Sequence, residues 1–206
     1  MTSNSIRLPK TQTGYKSFYR ILKVSRKLFA EKGFLATSTN EIISEAKVAI
    51  GTFYIYFDDK RAVYDYLLND YSKQIRKMIQ IAIKDLPTRE EKERVGLKTF
   101  INFSRQDPLS YRIIWESMFV DHDLFQSYYT NFAKVYMKNL QSAVDSHEVD
   151  SNIDLETLAF MLMGISNFIG LQILFKDKVS EAEIERIVDQ VIYFLKHGMF
   201  TNRTHQ

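Results

Sequence analysis

Cysteine is absent from this chain of 206 residues. That excludes a disulfide framework, a thiolate metal site and a cysteine nucleophile at once. Proline and glycine are also scarce, at three and seven. A sandwich or barrel of many short strands needs frequent turns, so this scarcity points to long helices. No segment alternates apolar and polar residues as a half-buried strand would. The stretch Met1–Lys16 lacks an apolar core and does not read as a secretory signal, so a cytoplasmic location is expected. There is no phosphate-cradling glycine loop and no nucleophile elbow. His122 lies between Asp121 and Asp123, but neighbours at a helix start do not converge on one ion. No enzyme activity, metal or cofactor is expected.

What is present has the balance of a folded protein, with 45% hydrophobic and 26% charged residues. The net charge of +3 hides an asymmetry. Through Lys60 there are ten Lys or Arg against five Asp or Glu, a net of +5; the remainder carries eighteen against twenty, a net of −2. Most of the excess precedes Phe34: Arg7, Lys10, Lys16, Arg20, Lys23, Arg26, Lys27 and Lys32 against Glu31 alone. Such a block suits nucleic acid, an anionic membrane surface or plain solvent, and charge cannot choose among them.

Helix signals recur along the chain. The first dozen residues are polar and aperiodic and read as a mobile arm. From about Tyr15 to Lys32, apolar residues recur at helical spacing and Gly33 supplies the stop. Ser38-x-x-Glu41 is a capping box opening a short helix to about Ala46. After a four-residue break a second short helix spans about Gly51 to Tyr56. Longer helices follow from Lys60, from the box Thr88-x-x-Glu91, from Asp107-Pro108, from the openers Asp121 and Asp123, from Asp154 and from the box Ser180-x-x-Glu183. The expected fold is all-α with about nine helices. Residues 158–175 are apolar almost all round; Ser166, Asn167 and Gln172 interrupt them, so a helix buried between neighbours or under a partner subunit is expected, with no membrane partner.

Two short helices joined by a tight turn fit a helix-turn-helix, whose second helix enters the DNA major groove. Ile42, Ala46, Val48, Phe53 and Phe57 form one apolar set suited to pack on Leu28 and Phe29. Thr52 and Tyr56 lie four apart on another face, with Ala49, Ile50, Gly51 and Ile55 near it. Gly51 lets backbone approach the duplex. Tyr54 and Tyr56 offer hydroxyls to phosphate, Lys60 a positive charge, and Ser38 a helix N-terminus. With Thr37 beside Ser38, the candidate DNA-contacting set is Thr37, Ser38, Ala49, Ile50, Gly51, Thr52, Tyr54, Ile55, Tyr56 and Lys60. A mere helical cap would leave Ile50, Tyr54, Ile55 and Tyr56 as an unexplained exposed patch.

The segments Leu28–Phe34, Ala36–Ser38, Glu41-Ile42 and Ala46–Phe57, with Ile21-Leu22 and Lys60, resemble the TetR family of bacterial transcriptional regulators. Lys47 stands where the family has a turn glycine; Ala49 and Ile50 replace polar residues and suggest apolar contact, such as with thymine methyls. The resemblance implies a three-helix DNA-binding domain over residues 1–59 and a regulatory domain over 60–206. It also implies a homodimeric repressor on a palindromic double-stranded operator, released by a small-molecule effector.

The C-terminal two-thirds is rich in aromatic residues and methionine. The candidate effector pocket comprises Phe100, Phe103, Trp115, Met118, Phe119, Tyr128, Phe132, Tyr136, Met163, Asn167 and Phe168, with plain core as the alternative for each. Arg105 or Arg112 would meet an anion, and an apolar, acyl or aromatic effector is expected. The stripe Ile184, Ile187, Val188, Val191, Ile192 and Leu195 is expected at a dimer interface of four helices. The competing reading is a membrane-surface or protein-interaction adaptor that does not bind DNA; a DNA shift assay separates the two.

Overall fold

Short polar caps set where each helix begins. A computed structural model describes residues 6–176 and 178–199 as nine α-helices, with no strand among them. They are α1 (Gln12–Lys32), α2 (Thr39–Glu45), α3 (Ile50–Tyr56), α4 (Lys60–Ile83), α5 (Arg89–Gln106), α6 (Pro108–Val120), α7 (His122–Asp145), α8 (Leu155–Leu174) and α9 (Glu181–His197). The Thr88 box closes in both directions: Glu91 N–H donates to Thr88 Oγ1, and Thr88 N–H to Glu91 Oε2, each at 3.2 Å. The Ser38 and Ser180 boxes close in one direction only, because Glu41 and Glu183 turn instead to Lys32 and Lys176. Asp59 caps α4 through Ala62 N–H at 2.7 Å.

Packing sorts the chain into two units. The first comprises residues to Gln74 and Asp107–Phe132; the second comprises Ile75–Gln106 and the chain from Ala133 onward. Aromatic rings dominate the first core. Phe18 stacks on Phe57 with centroids 5.0 Å apart and meets Tyr56 edge-on, while Tyr64 wedges against Phe29. Each such ring, once removed from water, stabilises the fold by roughly 1.5–3 kcal/mol. The Tyr64 hydroxyl donates to Ile113 O at 2.7 Å, so α6 joins this core as well. Residues 6–11, expected as a mobile arm, are docked: Arg7 N–H donates to Tyr56 O at 3.1 Å, and Pro9 is buried. Backbone pairing outweighs their polar composition.

The second unit is built around α5, on which both α8 and α9 lie. Leu97 and Ile101 of α5 meet Ile173 of α8 and Ile184, Ile187, Val188 and Ile192 of α9. Ion pairs join Glu90 to Lys196, Arg94 to Asp189, Lys98 to Glu185 and Arg105 to Glu181. Ascending numbers on α5 against descending numbers on α9 make the two helices antiparallel. Each of these largely exposed pairs contributes at most about 1 kcal/mol, so they set register more than stability.

This packing corrects the expected dimer stripe. Ile184, Ile187, Val188 and Ile192 are core residues of the protomer, because α5 covers that face of α9. Val191 is half-buried and Leu195 is exposed. The apolar side chains left uncovered lie elsewhere: Phe160, Met161 and Phe168 on α8, and Tyr193, Phe194 and Leu195 on α9. Among the described residues α8 alone is long and apolar enough to cross a membrane; Ala159, Leu162, Met163 and Ile173 form its packed side.

Candidate nucleic-acid interface

A reading helix must be rigid on one side and bare on the other. On α3, Phe53 is fully buried and Tyr56 nearly so, followed by the buried Phe57. The opposite side presents Ile50, Tyr54 and Ile55 at 63%, 46% and 57% exposure, beside exposed Ala49 and Gly51. A Cβ placed on Gly51 would meet no atom within 4 Å, so the bareness there faces outward. Thr52 is half-buried at the edge of this surface. The turn into α3 carries Lys47 at φ 50°, the left-handed conformation that a glycine adopts without strain. It is pinned by Lys47 N–H to Ser44 O at 3.1 Å and Val48 N–H to Ile43 O at 3.3 Å. Ser38 is exposed and its Oγ accepts from Glu41 N–H at 3.1 Å, so it caps α2.

Three expected contacts are placed differently. Thr37 is buried and its hydroxyl donates to Gly33 O at 2.9 Å, closing the loop before α2. Tyr56 is turned into the first core against Phe18, with its hydroxyl beside Gly14; α1 crosses that side of α3 and claims the ring. Lys60 spends its ammonium on the carbonyl oxygens of Phe34 at 2.7 Å and Thr37 at 2.6 Å. None of the three groups is directed at a duplex.

Two residues outside the expected contact set matter here. Arg7 ties the chain to the far end of α3, donating to Tyr54 O at 3.2 Å and pairing with Asp58 at 3.3 Å. Glu116 of α6 accepts Phe34 N–H at 2.6 Å. A partner 82 positions away leaves no local sequence signal. The basic block of α1 lies outward, where Lys16, Arg20 and Lys23 line a shallow depression of about 510 Å³.

The candidate effector residues do not share one unit. Trp115, Met118, Phe119, Tyr128 and Phe132 belong to the first; Phe100, Phe103, Tyr136, Met163, Asn167 and Phe168 belong to the second. Met118, Phe119 and Phe168 are exposed, the last two at 82% and 66%. Phe103 and Met163 are buried, while Phe100, Trp115, Tyr128 and Phe132 are half-buried. The Asn167 amide donates to Met163 O of its own helix at 2.8 Å. Tyr136 hydrogen-bonds Glu93, and the Arg89 guanidinium stands over its ring. Desolvation first, then the Glu93 charge, holds its phenol well above the usual range. Arg105 is engaged by Glu181 and by Val179 O.

A basic N-terminal region carrying a rigid two-helix reader defines a helix-turn-helix DNA-binding protein. Residues 21–67 match the family described as bacterial regulatory proteins, tetR family. That match places residues 21–67 with the N-terminal region of the TetR family of transcriptional regulators. It is 27% identical to the HTH-type transcriptional regulator YdgC of Bacillus subtilis, over 74% of this chain and 78% of that protein. It is also 27% identical to the HTH-type transcriptional repressor KstR2 of Rhodococcus jostii, over 75% and 79%. For two other Bacillus subtilis regulators the match spans only 62% and 63% of their length. The structure of Bacillus subtilis FadR in complex with stearoyl-CoA superposes with a TM-score of 0.77 at 18% identity, covering 89% of this chain and all of that one.

Proposed function

We propose that this chain is a TetR-family regulator, a homodimeric repressor that reads a palindromic operator through α3 and releases it when a small molecule binds. The observation that carries the reading is the bare Ile50, Tyr54 and Ile55 surface on a helix whose other side is locked by Phe53 and Tyr56. Function divides at residues 59 and 60, with reading helices before and regulation and dimerisation after, and the protein acts in the cytoplasm. Ile50 and Ile55 approach bases, Tyr54 and Ser38 approach phosphates, and apolar contact discriminates thymine methyls. KstR2, a relative, is a repressor, which supports the direction of control.

The uncovered faces of α8 and α9 are the dimer surface, replacing the stripe now seen to pack on α5. A two-fold dimer carries two α3 helices, which read half-sites about one turn of DNA, or a multiple, apart. The effector is acyl or aromatic; the stearoyl-CoA held by FadR motivates the acyl arm. Selection of duplexes from a random pool, followed by footprinting, should return a palindrome bound by a dimer. Absence of any preferred sequence would overturn the reading. Titration of acyl-CoA and of aromatic acids against the bound operator, following emission of Trp115, should show release with one class; release by neither removes effector control of this kind and leaves DNA binding standing.

A further inference from the structure

The loop Gly33–Ser38, which delivers the chain from α1 into α2, is gripped from two helices by opposite charges. Lys60, the first residue of α4, donates to the carbonyl oxygens of Phe34 and Thr37 at 2.7 and 2.6 Å and reaches Leu35 O at 3.4 Å. Three carbonyls match the three donors of an ammonium. The same nitrogen lies 4.4 Å from the centre of the Phe34 ring. From the other side, Glu116 of α6 accepts Phe34 N–H at 2.6 Å. Gly33 sits at φ 86°, and a Cβ on it would stand 2.9 Å from the Glu116 carboxylate, so the close approach needs a glycine. Both grips are part-buried, where charge-assisted hydrogen bonds keep more of their strength. α6 is fastened again at its other end, where its cap Asp107 pairs with Arg26 of α1. Both gripping helices are therefore anchored in the core that carries α3.

We propose that Lys60 and Glu116 are positioning residues for operator recognition: together they fix the path from α1 into α2, and so the seating of α2 and α3, without touching DNA. This rests on the DNA-binding reading above. Base-edge contacts tolerate only small errors in placement, whereas phosphate attraction is forgiving. Loosening the loop should therefore cost specific affinity and spare non-specific affinity.

The test uses the full-length protein, its selected operator duplex and a random duplex of equal length, over a range of salt. Lys60→Met should weaken operator binding about tenfold, leave random-duplex binding unchanged and keep the salt slope. Equal loss on both duplexes, with a slope shallower by about 0.9, would make Lys60 a phosphate contact and overturn the proposal. Glu116→Gln keeps an oxygen for Phe34 N–H and should bind as the parent does, whereas Glu116→Ala should lose specificity as Lys60→Met does. Equal behaviour of Glu116→Gln and Glu116→Ala, in either direction, would also overturn it. Circular dichroism and thermal unfolding confirm that each variant is folded under the binding conditions. A parent protein that prefers no duplex would instead defeat the DNA-binding reading, and the positioning role with it.

Discussion

Two of the apolar surfaces left uncovered among the described residues, on α3 and on α8, differ in what surrounds them. On α3, three large side chains project from a helix of seven residues, within a region carrying a net charge of +5 through Lys60. On α8, Phe160, Met161 and Phe168 stand on a helix of twenty residues whose one charged side chain is Glu156. A small apolar patch among cations suits a polyanion with methyl groups in its groove. A broad uncharged face suits another protein surface, and a second copy of the same face satisfies it by symmetry. The lesson is that exposure alone marks a contact, and the neighbouring charge tells which kind.

The comparison breaks most visibly at the residues beneath the two surfaces. Phe53→Ala should cost about 3–5 kcal/mol, since the ring is fully buried and its cavity cannot close. Tyr54→Ala, one residue along, should change stability by no more than about 0.5 kcal/mol while weakening DNA binding. Urea unfolding and duplex titration separate these effects; equal destabilisation would refute a two-faced α3. In the second unit, Val188→Asp should unfold the protomer, because it places a carboxylate in the packed seam with α5. Phe168→Glu combined with Leu195→Glu should leave helicity intact and yield monomers. A stable dimer of that double variant in sedimentation would send the interface elsewhere.

Alkaline pH sharpens the contrast between a closed core and an open surface. Burial raises the Tyr71 phenol to about 12, and burial raises Tyr129 to about 12 as well. The unfolded chain loses these protons near pH 10 and the folded chain near pH 12. Their contribution is fully present below pH 10 and is lost as pH rises through 12, up to about 3 kcal/mol per phenol. Tyr71→Phe and Tyr129→Phe should flatten this alkaline loss in urea titrations; an unchanged profile would mean that neither phenol is protected.

How much of this was legible depended on range. The caps, the apolar period through Ile42, Phe53 and Phe57, and the all-helical fold follow from near neighbours in sequence. Tyr54 and Tyr56 look alike in composition, and only the crossing of α1 decides that Tyr56 is core. Lys60 at a helix start resembles a phosphate contact until the carbonyls of Phe34 and Thr37 claim it. Periodicity on α9 announced a wide buried face correctly but could not name its cover, which is α5 of the same protomer. Aromatic residues such as Phe119 and Phe168 reveal their size in sequence and their direction only in space.

The smallest effect lies in the turn that joins the two reading helices. Lys47 holds φ 50° although it carries a Cβ, a conformation that costs an L-residue roughly 1–2 kcal/mol. Glycine would remove that strain but would also widen the unfolded ensemble, which offsets about 0.4–1 kcal/mol of the gain. The expected net for Lys47→Gly is therefore a stabilisation of about 1 kcal/mol or less. Val48 N–H to Ile43 O should persist, so the seating of α3 and its base preference should stay as they are. Thermal unfolding and operator selection on this variant test both statements. A destabilised Lys47→Gly would show that the lysine side chain contributes more to the turn than its backbone strain takes away.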